Sequence, residues 1–136
     1  MCSIDASLYA YGYNLYDDRP HRILPPHYSV YERIRRARPN TPILFYDKPF
    51  YEYDTTYERR RKIIKESYLT AKNAGDDLVG IVEAEMLFGN EDRDCCVVDG
   101  SHPNDLGAMR MAKAFLPVAY DLLKRTTVLS TSITAP

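Results

Sequence analysis

Apolar positions in this chain follow two rhythms. Short, nearly unbroken apolar or aromatic runs recur at residues 8–11, 43–46 and 78–82, and each ends at a glycine or an acidic residue (Gly12, Asp47, Glu83). Runs of that length without polar alternation predict strands buried on both faces of a sheet. Between them the spacing becomes helical. Over residues 28–38, Val30, Tyr31, Ile34 and Ala37 share one face, while Arg33, Arg35 and Arg36 fall mainly elsewhere. The basic end suits the negative end of a helix dipole, and Pro39 stops the helix. Thr55-x-x-Glu58 has the form of a capping box opening a helix over 56–74, with Ile64, Tyr68 and Ala71 inward and Gly75 placed as a left-handed cap. A last helix is predicted over 104–124, with an apolar stripe of Met109, Ala112, Phe115, Leu116, Ala119, Leu122 and Leu123. Pro117 lies inside that stripe, where a missing amide donor predicts a kink. Residues 14–26, with Pro20, Pro25 and Pro26, read as a loop, 89–94 as a polar turn and 126–136 as a frayed polar tail.

The order is strand, helix, strand, helix, strand, helix. It predicts an α/β fold of three layers, α/β/α, around a parallel, flavodoxin-like sheet. One domain over residues 1–125 and a tail over 126–136 follow from it. In such sheets chemistry gathers beyond the carboxyl ends of the strands, which directs attention to the residues after Tyr11, after Tyr46 and after the third strand.

Composition narrows the field. With 136 residues there is one modest core, and 45% hydrophobic with 27% charged residues is ordinary for a soluble domain. A net charge of −1 gives no field favouring nucleic acid or an anionic membrane. No apolar run approaches the roughly 20 residues of a membrane span, and no signal peptide is visible, so the compartment stays open. The three cysteines, Cys2, Cys95 and Cys96, read as free thiols. A metal site from Cys95, Cys96, Asp99 and His102 lacks the C-x-x-C spacing that converges two thiolates on one ion. The 12 tyrosines suit strands and sheet–helix contacts better than a binding cleft. His21 and His27 fall in the first loop and read as solvated; the run Arg59-Arg60-Arg61-Lys62 reads as a solvated helix face. Asp47 and Glu83, at strand ends, are candidates to line a cleft.

The loop before the last helix carries the most specific string, Asp99-Gly100-Ser101-His102-Pro103-Asn104-Asp105-Leu106-Gly107. A carboxylate three residues before a histidine, on a tight turn, can accept a hydrogen bond from the imidazole and support the imidazolium that forms on proton uptake. Pro103 suits the first turn of a helix.

That string, followed by an amphipathic helix, resembles the last block of the SGNH/GDSL hydrolases. Gly12-Tyr13-Asn14, directly after a strand, resembles the G-x-N block of the same family, and Asp5-Ala6-Ser7-Leu8-Tyr9 and Ala37-Arg38-Pro39-Asn40-Thr41-Pro42-Ile43 resemble one branch of its esterases. The resemblance covers residues 5–123. It implies an ester hydrolase with a Ser–His–Asp triad, in which Asp99 is the orienting acid and His102 the general base. It implies an oxyanion hole in which Asn14 donates and Gly12 permits the turn; such an amide donor is worth roughly 3–4 kcal/mol in the transition state. No metal or organic cofactor is implied, and the partner is an ester substrate, acetylated carbohydrate being one choice.

Two blocks of that family have no counterpart here: the one holding the nucleophilic serine and the one supplying an oxyanion-hole glycine. Two strand–helix units, roughly 60 residues, are therefore expected upstream. Ser3, Ser7, Ser29 and Ser101 are poorly placed to replace the serine. The alternative expectation is an inert fragment or binding remnant, with the strand at residues 8–11 as an open sheet edge that promotes self-association. A nucleotide-binding module of similar architecture would need a glycine-rich phosphate loop, and the sequence offers none.

Overall fold

The computed structural model describes residues 3–12, 24–49 and 55–133. Three strands, β1 (Tyr9–Tyr11), β2 (Ile43–Tyr46) and β3 (Val79–Val82), form a sheet in the order β1-β2-β3, parallel throughout. Helix α1 (Leu24–Ala37) joins β1 to β2, and α2 (Thr55–Asn73) joins β2 to β3. A short helix α3 (Ala84–Phe88), a 3-10 turn (Asp94–Cys96) and the long helix α4 (Asp105–Ile133) complete the chain.

The sheet is covered on both faces because its strands alternate apolar with apolar. Ile43 and Phe45 of β2 point into one core with Tyr9, Tyr11, Tyr31, Ile34, Ile64, Ala71 and Val79, under α1 and α2. Leu44 and Val82 point the other way, to Leu87 of α3 and Ala114 and Leu122 of α4. Phe45 sits at the centre, with the rings of Tyr11, Tyr31 and Tyr68 around it at 5.6–6.3 Å. Truncating such a residue to alanine typically costs about 3–5 kcal/mol. These tyrosines fill the core, as expected for most of the 12. Gly80 lets α4 approach β3: a β-carbon there would stand 2.8 Å from Cγ1 of Val118.

Several boundaries differ from the periodicity. Helix α1 starts at Leu24, since Pro25 and Pro26 fall in the first turn, where amide donors have no helical partner. His27 is therefore not a solvated loop residue. It is fully buried, its Nδ1 lies 2.8 Å from Oγ of Ser67, and it stacks 4.8 Å from the ring of Tyr11. At the other end α4 runs on to Ile133 where a polar tail was expected. No proline or glycine interrupts the chain between Lys124 and Ala135, and the Thr126 hydroxyl donates back to the Leu123 carbonyl at 2.7 Å. The helix also continues through Pro117.

Basic residues expected in solvent are partly inside. Arg60 is buried, and Arg61 stands 3.7 Å from Asp47 and 3.1 Å from Glu85. Arg35 ties the end of α1 to the start of β3: its Nε meets Asp76 at 2.7 Å and its terminal nitrogens reach the carbonyls of Arg38, Pro39, Thr41 and Leu78. Tyr31 donates to the same Asp76 carboxylate at 2.6 Å, and burial together with that bond pushes its phenol up. Gly75 ends α2 as predicted, with φ +86° and two closing bonds, Gly75 N–H to Lys72 and Asp76 N–H to Ala71. The side chain of Thr55, half of the predicted capping box, lies outside the described residues.

Candidate active site

The Asp99–His102 segment folds into a closed turn. Val97 bridges Pro103 in antiparallel fashion, and the Val98 amide donates to the His102 carbonyl at 2.9 Å. Gly100 takes φ +79°, a conformation open to glycine at little steric cost. Within the turn one carboxylate organises everything. Oδ1 of Asp99 accepts the amides of Ser101 at 3.1 Å and His102 at 2.9 Å, and Oδ2 lies 2.7 Å from Nδ1 of His102. Hydrogen bonds from the His102 amide and then its ring, with the Ser101 amide adding to them, hold the Asp99 carboxyl down at about 2. Asp99 is thus ionised at neutral pH and holds the His102 ring in place. About half of each side chain is open to solvent, 53% for Asp99 and 63% for His102.

Asn104 knots this turn to α4, a role the sequence string contained but its pattern did not reveal. Its side-chain oxygen caps the Gly107 amide at 3.0 Å, its amide nitrogen donates to the Cys95 carbonyl at 2.7 Å, and its backbone N–H donates to Cys96 at 2.9 Å. An asparagine just before Asp-Leu-Gly is a helix N-cap signal that could have found it. Gly107 completes the knot, because the Cys96 carbonyl lies where a β-carbon would go. From the sheet side, Lys48 Nζ reaches Oγ of Ser101 at 2.7 Å, so the segment following β2 holds the turn.

Of the predicted oxyanion pair, Asn14 lies outside the described residues, as does His21. Gly12 is at the carboxyl end of β1, and its backbone is not left-handed. Glycine is needed there for space: the ring of Tyr46 occupies the position of a β-carbon, and that ring meets Phe115 of α4 edge-on at 5.1 Å. No hydrogen bond among the described residues joins Gly12 to the Asp99 turn.

The serines sort as follows. Ser101 is engaged by Lys48, while Ser3 and Ser7 are exposed ahead of β1 and Ser29 is exposed on α1. Ser67 pairs with a histidine, but with the wrong one. His27 is sealed in the core, and desolvation pushes it down to about 4, which keeps it neutral. Cys95 is exposed and Cys96 buried, and among the described residues no group of three or more potential ligands converges on a metal position. Among them also, no helix is long and apolar enough to cross a membrane.

Asp47 and Glu83 do sit beyond the ends of β2 and β3. Both line a cavity of about 260 Å³ with residues of α2. Asp47 is 5% exposed, and burial pushes its carboxyl up to about 6 against the opposing pull of the Lys48 amide and Arg61.

Comparison with known proteins gives one coherent result. Residues 1–120 match the GDSL-like lipase/acylhydrolase family. No curated protein matches the chain significantly. Among solved structures, a protein from Bacteroides ovatus described as a GDSL-like lipase is similar, with a TM-score of 0.74 and 25% identity over 90% of this chain and 38% of that one. The salicylyl-acyltransferase of a tetracycline biosynthetic pathway is similar in fold, with a TM-score of 0.72 and 18% identity over 89% of this chain and 39% of that one. The chain therefore spans less than two fifths of either structure.

Proposed function

The chain belongs to the GDSL-like lipase/acylhydrolase family, and on that premise we propose that it carries the acid–base half of a serine esterase of the SGNH type. The single observation that carries this reading is the 2.7 Å contact between Nδ1 of His102 and Oδ2 of Asp99. A carboxylate on Nδ1 fixes the tautomer that leaves Nε2 as the base. In the proposed reaction a serine hydroxyl attacks the ester carbonyl carbon while Nε2 of His102 takes its proton. Asp99, ionised throughout, supports the imidazolium. The tetrahedral intermediate collapses as His102 returns the proton to the leaving alcohol. Water then attacks the acyl-serine by the same route in reverse, releasing the acid. Asn14 and Gly12 are assigned to the oxyanion by resemblance.

None of Ser3, Ser7, Ser29, Ser67 and Ser101 is placed to be the nucleophile, and the reading assigns that residue to polypeptide outside these 136 residues. The test is a fluorophosphonate serine-hydrolase probe applied to this chain and to an upstream-extended version, with the labelled residue found by mass spectrometry. Labelling of the extended version alone, lost in His102→Ala, is the expected result. Labelling of a serine within this chain would overturn the assignment of the nucleophile. An extended version that neither labels nor hydrolyses any ester would overturn the esterase reading.

A further inference from the structure

The Asp99–His102 turn is attached at its base and at its tip. At the base, Asn104 and Gly107 bind it to the first turn of α4 and to the carbonyls of Cys95 and Cys96. At the tip, Nζ of Lys48 lies 2.7 Å from Oγ of Ser101, both side chains half-buried. An ammonium only donates, so the hydroxyl accepts, and a charged donor makes the stronger kind of hydrogen bond. Val98, Asp99 and His102 are exposed, so little packing steadies the tip. Lys48 is itself well anchored. It follows β2, the middle one of the three described strands, which is paired on both sides. Its backbone amide donates to Oδ1 of the buried Asp47 at 2.7 Å. Ser101 is engaged twice as well: its hydroxyl meets Lys48, and its amide donates to Oδ1 of Asp99 at 3.1 Å. A continuous line of bonds therefore runs from the middle of the sheet through Asp47, Lys48, Ser101 and Asp99 to the ring of His102.

We propose that Lys48 is a positioning residue for His102: through Ser101 it pins the tip of the turn at a fixed height over the carboxyl ends of the strands. The dyad needs no such help to close, because the bonds between Asp99 and His102 lie within the turn. What those bonds leave open is where the closed dyad stands relative to the sheet. A turn held at its base alone can swing about that base as a unit, carrying His102 with it. A general base depends on that placement, since an error of about 1 Å can cost roughly a hundredfold in rate. Lys48 acts on the imidazole through Ser101 and has no need to touch substrate. Its value to a reaction rests on the esterase reading; the pinning of the turn does not.

The test measures residual dipolar couplings on the isotopically labelled chain, which report how each amide is oriented relative to the sheet. In Lys48→Met and in Ser101→Ala, the couplings of Asp99 to His102 are expected to shrink while those of β2 and α4 hold. The Asp99 midpoint should stay near 2, because the dyad remains closed. Lys48→Arg should restore the couplings, and the double variant should match either single one, since both cut the same link. In an upstream-extended chain, Lys48→Met should lower kcat about ten- to a hundredfold with KM unchanged. Unchanged couplings in both single variants, or an Asp99 midpoint that rises as the couplings fall, would overturn the proposal. So would couplings lost with kcat intact, or a higher KM at constant kcat, which would put Lys48 on the substrate. An extended wild-type chain that hydrolyses no ester would sink the esterase reading instead, and the couplings would still decide the pin.

Discussion

The carbonyl oxygen of Cys96 occupies the space that a β-carbon would need at Gly107. The first turn of α4 is thereby pressed onto the 3-10 turn that precedes the Asp99–His102 segment. Gly107→Ala must push backbone against backbone, an overpacking cost of about 1–3 kcal/mol. Urea unfolding should show this loss, together with faster amide exchange at Ser101 and His102. Gly75→Ala is the control. It suffers the left-handed φ but meets no atom within 4 Å, so it should lose about 1 kcal/mol and leave the turn's exchange unchanged.

The Asp99 carboxyl is held down by bonds that exist only in the folded turn. A carboxylate whose folded value is depressed contributes stability above its unfolded value, 3.8, and loses it as pH falls through about 2. A carbon-detected NMR titration should place the Asp99 midpoint near 2. A midpoint at the ordinary carboxylate value would mean the turn is not closed in solution. On the proposed esterase reading, Asp99→Asn in an upstream-extended chain should lower kcat by about 10⁴-fold, as loss of the orienting carboxylate does elsewhere.

His27 and Asp47 bend the stability curve in opposite directions. Asp47 is raised from 3.8 to about 6, so its contribution is present below 3.8 and lost as pH rises through 6. His27 is lowered from 6.5 to about 4, so its contribution is present above 6.5 and lost as pH falls through 4. Each shift is worth roughly 3 kcal/mol, and the two nearly cancel between pH 4 and 6. The wild-type chain should show a flat stability profile there. Asp47→Asn should unmask the histidine and lose roughly 3 kcal/mol between pH 6.5 and 4; a variant as flat as wild type would refute the assignment.

Strand β1 pairs with β2 alone among the described strands, and Ala10 on its α4-side face is exposed. An unpaired parallel edge is a template for another strand. The chain should sediment as dimers or larger species at micromolar concentration, and Ala10→Lys should shift it toward monomer. A concentration-independent monomer for the wild-type chain would count against the edge.

How much of this was readable in the sequence depended on how local each signal is. The three strands, the cap at Gly75 and the Asp99–His102 turn are specified by residues within a few positions of one another, and all three were legible. Helix α3 spans only Ala84–Phe88, too short to show a period. Arg60 and His27 were misassigned because their burial comes from tertiary packing, which neighbouring residues do not encode. Helix α4 was started correctly but ended too early, and its stripe was right only in part: Phe115 and Leu122 pack toward the sheet as expected. Its apolar residues run all the way round, so Met109 and Leu116, expected inside, are exposed, while Ala114, Leu122 and the half-buried Val118 face the sheet. The oxyanion pair stayed half answered, since Asn14 lies outside the described residues.

Among the described residues, the hydrogen bonds that close the Asp99 turn and cap α4 behind it come from Cys95 to Gly107, and Lys48 ties the turn to the segment after β2. Such a segment is a cassette. Its internal geometry asks little of the rest of the sheet, so strands and loops can be exchanged around it while His102 and Asp99 stay in register. A lineage built on that turn can vary the chain around it and still hold an imidazole against a carboxylate.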